Sequence, residues 1–401
     1  MPTAPKKKNH HYVPRLILRK FSTDERRISL VVLSSGKRVD GASLGDQCCE
    51  DNFYAYRAGL EEAWGKVEGD FAQVLGDLGR DHLEGLTDPD ILQVILYVHF
   101  QQFRTMGAAT DVDTFFDSFA RRVFSKHAQK QGIDLELVRI NARNPQQESL
   151  EQALKMTPLL LDLDAKFLIS DKRLGFVISD DPVVSYNQWV EHEPHLRQWP
   201  GGWGVAIKGL QLFLPVSPRV TLCVYDPSTY QCGSPARRTT QLAIRDIQRL
   251  NDLQAVHANE CLYFNADLTP REELQRLQSE WEKHLGWRKP TFIESPAIRD
   301  GKPSQFIGSF PGAMRLGIKL GCMRVTETKS YEEYNLAGLP VRSGELVSLF
   351  ERGKSIFDKN FDLKKALGLE GVPKLVRPAD SITAQTHEPG SKARSGGPVD
   401  L

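Results

Sequence analysis

The side chains able to do chemistry in this sequence are few and far apart. His10 and His11 stand in an N-terminal arm, NHHYVPR, and an imidazole near its ordinary pKa can give or take a proton at neutral pH. Arg15 and Arg19 follow, one helical turn apart, and guanidinium forks match phosphate oxygens. Glu68 and Asp180 are carboxylates in apolar surroundings, able together to hold one hard divalent cation, magnesium or manganese, or to orient a histidine. His99, Gln102, Arg104 and Ser179 are further candidates for contact with substrate. This set is suited to a phosphodiester or nucleotide hydrolase, nuclease-like, with His10 or His11 as acid or base and the arginines on phosphate. The alternative is a non-catalytic sensor in which the same residues bind a nucleotide or nucleic acid without turnover.

Each residue also has a structural explanation. His99 and Gln102 fall within the apolar stripe of Ile91, Ile95 and Met106, where a satisfied core pair is the commoner outcome. Arg104, on the other side of that helix near its C-terminal end, can offset the helix dipole and pair with an acid. Glu68 projects beside Trp64 and Leu75, and Arg15 or Arg19 could be its cation. Asp180, in Ser179-Asp180-Asp181-Pro182, closes an apolar strand, where Asp also serves turns by local hydrogen bonding. Adjacent histidines in an extended arm point opposite ways, so at most one of His10 and His11 faces a site.

The elements that must position these groups follow from periodicity. RRISLVVL (26–33), a turn at Ser35-Gly36 and KRVDG form a hairpin, and NFYAY (52–56) is a strand candidate. Leu60, Trp64, Val67, Phe71, Val74 and Leu78 recur at helical spacing, with Gly79 as the stop. Thr87-Asp88-Pro89 starts a second helix, apolar nearly all round, that runs to about Met106. Further helices are expected over about 111–130, 146–160, 239–257 and 270–286. Strands are expected at 166–170, 175–179, 210–214, 219–225 and 260–264, with more over 291–326. The segment containing Trp189, Trp199 and Trp203 reads as an irregular loop with an aromatic surface. The fold class is α+β, a helical first half packed on a mixed or antiparallel β-rich second half. The expected organisation is a flexible basic start (1–8), a core domain (9–290), a C-terminal β/α extension (291–372) and a disordered tail (373–401).

Bulk properties exclude some classes. The 401 residues carry a net charge of +1, so no global field draws the chain to nucleic acid or membrane. No apolar run reaches the roughly 18 residues of a membrane span, and MPTAPKKK leads into no apolar signal segment. The six cysteines show no CxxC pair and suit a reducing compartment, so a cytoplasmic protein is expected. The absence of GxxxxGK[ST], GxGxxG and HExxH signatures argues against ATP-driven and dinucleotide-dependent chemistry.

Four segments resemble one bacterial and phage family. NHHYVPRLILRKFS matches its H-Y-V-P-R opening and L-R-x-F step, FVISDDPVV its S-D-x-P-V element, LFLPVSPRVTLCVYD its P-L-S-P strand pair, and IQRLNDLQAVHANECLYF its late helix and strand. The family is domain of unknown function 4238, and the resemblance spans about 9–265. It implies no settled reaction, only a connection with phage defence and mobile-element conflict.

Overall fold

The N-terminal arm is not loose: Asn9–His11 (β1) pairs antiparallel with Cys49–Asp51 (β4), setting His10 opposite Glu50. Pro14 then precedes a short helix, Arg15–Phe21 (α1), that buries Ile17, Leu18 and Phe21 and leaves Arg15 and Arg19 exposed. The expected hairpin is Arg27–Val32 (β2) and Lys37–Ser43 (β3), turning at Gly36. This computed structural model describes residues 9–51, 53, 60–138, 140–197, 204–299, 302–327, 329 and 339–352, all within the unit Met1–Phe361. Apart from Phe53, the NFYAY strand candidate lies outside the described residues, as do Trp199, Trp203, the basic start and the C-terminal tail.

Helices dominate residues 60–156. Leu60–Leu75 (α2) buries Trp64, Phe71, Val74 and Leu75, and it ends at Gly76 rather than Gly79. Gly76 has φ of 53°, a left-handed value that stops a helix at little steric cost, whereas Gly79 introduces the next turn, Arg80–Glu84 (α3). Asp88–Phe103 (α4) starts at a capping box in which the Thr87 N–H and hydroxyl both donate to Asp90 Oδ2, at 2.8 and 2.6 Å. It ends three residues before Met106, because the Thr105 hydroxyl caps a new helix, Met106–Lys130 (α5), by accepting from Ala108 N at 3.1 Å. Pro145–Met156 (α6) and a 3₁₀ turn over Thr157–Leu160 complete this part.

Two sheets follow. One uses Asp164–Ile169 (β5), Val184–Tyr186 (β7), Gln211–Ser217 (β8), Val220–Tyr225 (β9) and Thr239–Gln241 (β11); its order is β11-β5-β9-β8-β7, with only the β11–β5 pair parallel. The other places Ile178–Ser179 (β6) and Cys261–Phe264 (β12) beside the hairpin, in the order β3-β2-β12-β6. The expected strand 175–179 shrinks to two residues because Val177 N and Ser179 N donate to the side chains of Asn251 and Gln254. The period of two in the strands sorts the first sheet's side chains. Ala165, Phe167, Leu212, Leu214, Leu222 and Val224 join α1, α2 and α4 in one core, while Leu168, Phe213, Cys223 and Tyr225 join a second. That second core also takes residues from Gln188–His192 (α7), Tyr230–Cys232 (β10) and Ile244–His257 (α8).

Arg271–Lys283 (α9) packs on α8, and Thr291–Arg299 (β13) and Lys302–Phe310 (β14) form a two-stranded hairpin. Beyond it Met314, Ile318, Leu320 and Met323 enter the second core, Met323–Val325 (β15) pairs with β10, and Gly344–Glu351 (α10) lies against the 3₁₀ turn. The class is α+β. Among the described residues no helix is long and apolar enough to cross a membrane.

Candidate functional site

Two polar networks meet where α4 gives way to α5. In the first, Arg104, buried at the end of α4, donates from Nη1 to Glu68 Oε1 at 2.6 Å and from Nη2 to the His11 carbonyl at 2.8 Å. Its guanidinium lies 4.6 Å from the Trp64 ring centre, and Gln101 ties down the arm by donating to the Tyr12 carbonyl at 2.9 Å. The cation facing Glu68 is therefore Arg104, not Arg15 or Arg19: α4 ends at Phe103, and Arg104, its C-cap, reaches α2. His11 is held through Nδ1 on the Gln47 carbonyl at 3.1 Å.

The second network is built on Asp181. Pro182 keeps Asp181 out of the helical region, and its carboxylate points at the start of α5, where a helix N-terminus favours negative charge. Asp181 Oδ1 accepts from the Thr105 hydroxyl at 2.7 Å, and Oδ2 accepts from Arg288 Nη2 at 2.7 Å. Arg288 also donates to Asp111 Oδ2 at 2.9 Å and to the His257 carbonyl. His257, at the C-terminal end of α8, has Nδ1 2.8 Å from the Asp181 carbonyl and 3.7 Å from its carboxylate. A carbonyl only accepts, so Nδ1 carries the proton and Nε2 is left with a lone pair. Burial holds the imidazole below its ordinary value, with the Asp181 charge pulling upward and Arg288 downward, so it is neutral at neutral pH. The Trp287 ring lies 5.4 Å from that of His257 and 4.7 Å from the Arg288 guanidinium, and it is anchored by Nε1 donating to the Val256 carbonyl. Exposure rises outward: the side chains of Asp181, His257, Arg288 and Asp111 are 3, 10, 19 and 45% accessible. The set therefore opens to solvent at Asp111.

Asp180 has a different job. Both its oxygens are taken by backbone N–H groups of Asn259, Glu260 and Cys261 at 2.8–3.1 Å, which ties β6 to the turn entering β12. Burial pushes its carboxyl up to about 7 against the pull of those three donors. A folded-state value above the unfolded one favours the protonated form. The contribution of Asp180 to stability is thus full below about pH 4 and lost as pH rises through about 7. Asp180→Asn is expected to flatten stability between pH 5 and 8 in urea titrations; an unchanged slope would assign that pH dependence to other groups. Ser179 completes the turn, its hydroxyl donating to the Asp181 carbonyl at 2.7 Å and lying 3.0 Å from Gln254 Oε1.

The remaining candidates lie apart. His99 is fully buried, with Nε2 2.9 Å from the Ala153 carbonyl of α6, and burial lowers its pKa to about 4. Gln102 Oε1 is buried on the same side of α4 without a hydrogen-bond partner. His10 is buried in the β1–β4 pair, and Arg15 and Arg19 project from α1. Trp189 is buried in α7, so it offers no aromatic contact surface.

Of the residues singled out from sequence, His11, Glu68, Arg104, Ser179 and Asp180 gather around these two networks. His257, Arg288, Asp111 and Thr105 were not among them, because nothing in sequence joins residues about 30 to 180 positions apart. The available signals were Pro182, which fixes Asp181, and a histidine closing an amphipathic helix. Among the described residues no group of three or more His, Cys, Asp or Glu side chains is placed to hold a metal ion.

Space around Asp181 is exhausted on the α5 side. A Cβ on Gly107 would sit 2.2 Å from Asp181 Oδ2, which Arg288 holds in place while Thr105 holds Oδ1. Gly107→Ala is expected to break one of those bonds at a cost of about 1–3 kcal/mol, measurable by denaturant unfolding, whereas Gly132→Ala serves only as a test of strain at positive φ.

Comparison with known proteins gives one match: the model of the family described as Protein of unknown function (DUF4238) covers residues 9–267. No curated protein and no solved structure matches the chain.

Proposed function

Because the chain belongs to the DUF4238 family, whose description assigns no reaction, we propose a function from the geometry of its own site: hydrolysis of a phosphodiester, in nucleic acid or a nucleotide, at the Asp181–His257–Arg288–Asp111 set. One observation carries this reading. His257 donates from Nδ1 to the Asp181 carbonyl, which leaves the Nε2 lone pair as the base, and its own carbonyl accepts from Arg288, whose side chain is 19% accessible. In the proposed step Nε2 takes the proton of an attacking water, or of a ribose hydroxyl, and returns it to the leaving oxygen. Arg288 holds a phosphoryl oxygen while charge develops there. No step is routed through a metal; a magnesium or manganese ion arriving with the substrate would serve to neutralise charge.

The free site carries two carboxylates, Asp181 and Asp111, against the single cation Arg288. An anionic substrate must therefore displace one of them, and Asp111 is the exposed partner able to swing away. Asp111→Asn is then expected to tighten binding of a phosphodiester roughly tenfold, the equivalent of about 1.4 kcal/mol. Isothermal calorimetry with a short oligonucleotide reads this directly, and weaker binding by the variant would count against Arg288 as the phosphate contact. Use of the activity in phage defence is part of the same proposal.

The second reading is a binding module for the same class of anion. The completed partners of Arg104, Glu68 and Asp180 favour it, since none of the three is left to act on substrate. Saturable, salt-weakened binding with no product under any metal condition would select this reading.

A further inference from the structure

Helix α5 keeps an apolar stripe open to solvent. Val112, Phe116, Phe119 and Val123 recur at intervals of four, three and four residues, so they line one side of the helix. Phe116, Phe119 and Val123 are 41, 37 and 44% accessible, and Val112 is half-buried. Phe124, the next residue, is exposed as well. A contiguous row of this kind marks a contact surface, whereas single exposed apolar residues do not.

Described neighbours take the two flanks of the stripe and leave it open between them. On one flank Phe115 stacks on Phe292 of β13 with ring centres 6.4 Å apart, and Arg122 lies 4.9 Å from the same ring centre. On the other, Asp113 and Asp117 accept from Ala142 N and Ile140 N at 2.9 and 3.2 Å. Arg121 adds bonds to the carbonyls of Leu135 and Val138. These contacts fix the rotation of α5 that turns the stripe outward.

Order and charge along the helix select what covers it. The stripe reads Val, Phe, Phe, Val with the same spacing in either direction. Reversed about a point between Asp117 and Ser118, it meets itself, Val112 on Val123 and Phe116 on Phe119. Charge is divided about the same point. Residues 106–117 hold Asp111, Asp113 and Asp117 and no Lys or Arg, whereas 118–130 hold Arg121, Arg122, Lys126 and Lys130 and no acid. That order suits the dipole of a single helix. It also makes two antiparallel copies attract, while a parallel pair would set like charges level with one another.

We infer that α5 is a self-association surface, through which two copies of this chain pair antiparallel about a two-fold axis at the helix midpoint. The same patch serves on both copies, so the contact closes at a dimer. From Val112 to Val123 the seam is about 16 Å long at the rise of an α-helix. An interface built on one helix pair belongs to the small end of specific contacts, and reversible association at micromolar concentration is expected. Asp111 is turned about 100° from Val112 around the helix, off the seam, so the pairing does not depend on the proposed hydrolysis.

The test is sedimentation velocity of the full chain from low to high micromolar concentration, with thermal melting to confirm that each variant is folded. The expected result is a monomer that passes to a dimer as concentration rises. Val123→Ser should weaken association roughly tenfold, and Val123→Glu should leave a monomer. Because Val123 meets Val112 of the second copy in this register, Val112→Lys/Val123→Glu should restore the dimer. A wild type monomeric throughout would overturn the assignment and leave the stripe to a different partner. A dimer indifferent to both Val123 variants, or a folded double variant that stays monomeric, would overturn it equally. Val123→Ser, which places no charge in the seam, decides the matter if Val123→Glu folds poorly.

Discussion

Replacing Arg288 by alanine is expected to destabilise the protein by about 3–5 kcal/mol, the range found when one partner of a buried ion pair is removed. The reason lies in what stays behind. Asp181 is almost wholly buried, and without Arg288 its carboxylate keeps the Thr105 hydroxyl, the N-terminus of α5 and the neutral His257 ring as neighbours, with no full positive charge among these three. The His257 carbonyl loses a donor in the same step. Arg288→Lys is expected to recover little, since one ammonium cannot reproduce a fork that reaches Asp111, Asp181 and the His257 carbonyl together. The double variant Arg288→Ala/Asp181→Ala should be less destabilised than the sum of the two single changes, because the stranded charge is gone. Urea unfolding of the set checks this. As a comparison, Arg122→Ala removes the more exposed pair with Glu294 and should cost under about 1 kcal/mol. A loss from Arg288→Ala no larger than that of Arg122→Ala would show that the Asp181 network does not hold the site together.

His257→Gln is expected to lower phosphodiester turnover by about 100-fold to 10,000-fold, the usual worth of a positioned acid–base group. Glutamine can still donate an N–H toward the Asp181 carbonyl, so melting should change far less than turnover does. The pH dependence has a definite sign. Because burial lowers the His257 pKa, the base form prevails at neutral pH. The rate should therefore rise with pH through a value below about 6.5 and then level off, and the variant should lose that acidic limb. An acidic limb surviving in His257→Gln would assign it to another group, with Asp111 the first to examine, since burial raises its carboxyl to about 6.

Periodicity carried most of the architecture. The helix around Trp64, Phe71 and Val74, the capped start at Thr87, and the alternation through β8 and β9 could all be read because each depends on neighbours within a few residues. The errors arose where tertiary partners decide local structure. Gly76 rather than Gly79 stops α2, the Thr105 cap ends α4 before the expected Met106 and starts α5 before the expected 111, and Asn251 and Gln254 shorten β6 by taking its N–H groups. The site was legible only by type. A carboxylate at the end of FVIS stood out, yet Asp180 and Asp181 are told apart only by what reaches them: three backbone N–H groups for one, and Arg288 with Thr105 for the other. Arg104 and Glu68 were recognised as unusual, but their pairing depends on how α4 crosses α2, which no spacing within either helix encodes.

The measurement that bears most directly on the proposed chemistry is a single-turnover assay of the whole chain, in excess over end-labelled single-stranded RNA and DNA and a chromogenic phosphodiester. It should be run with magnesium, with manganese and with chelator, beside folded His257→Gln. The account predicts cleavage of at least one of these diesters by the wild type and its loss in the variant. Cleavage of equal rate in the variant would remove His257 from the chemistry, and saturable binding with no cleavage by the wild type in any condition would contradict a hydrolase and leave the binding module in its place.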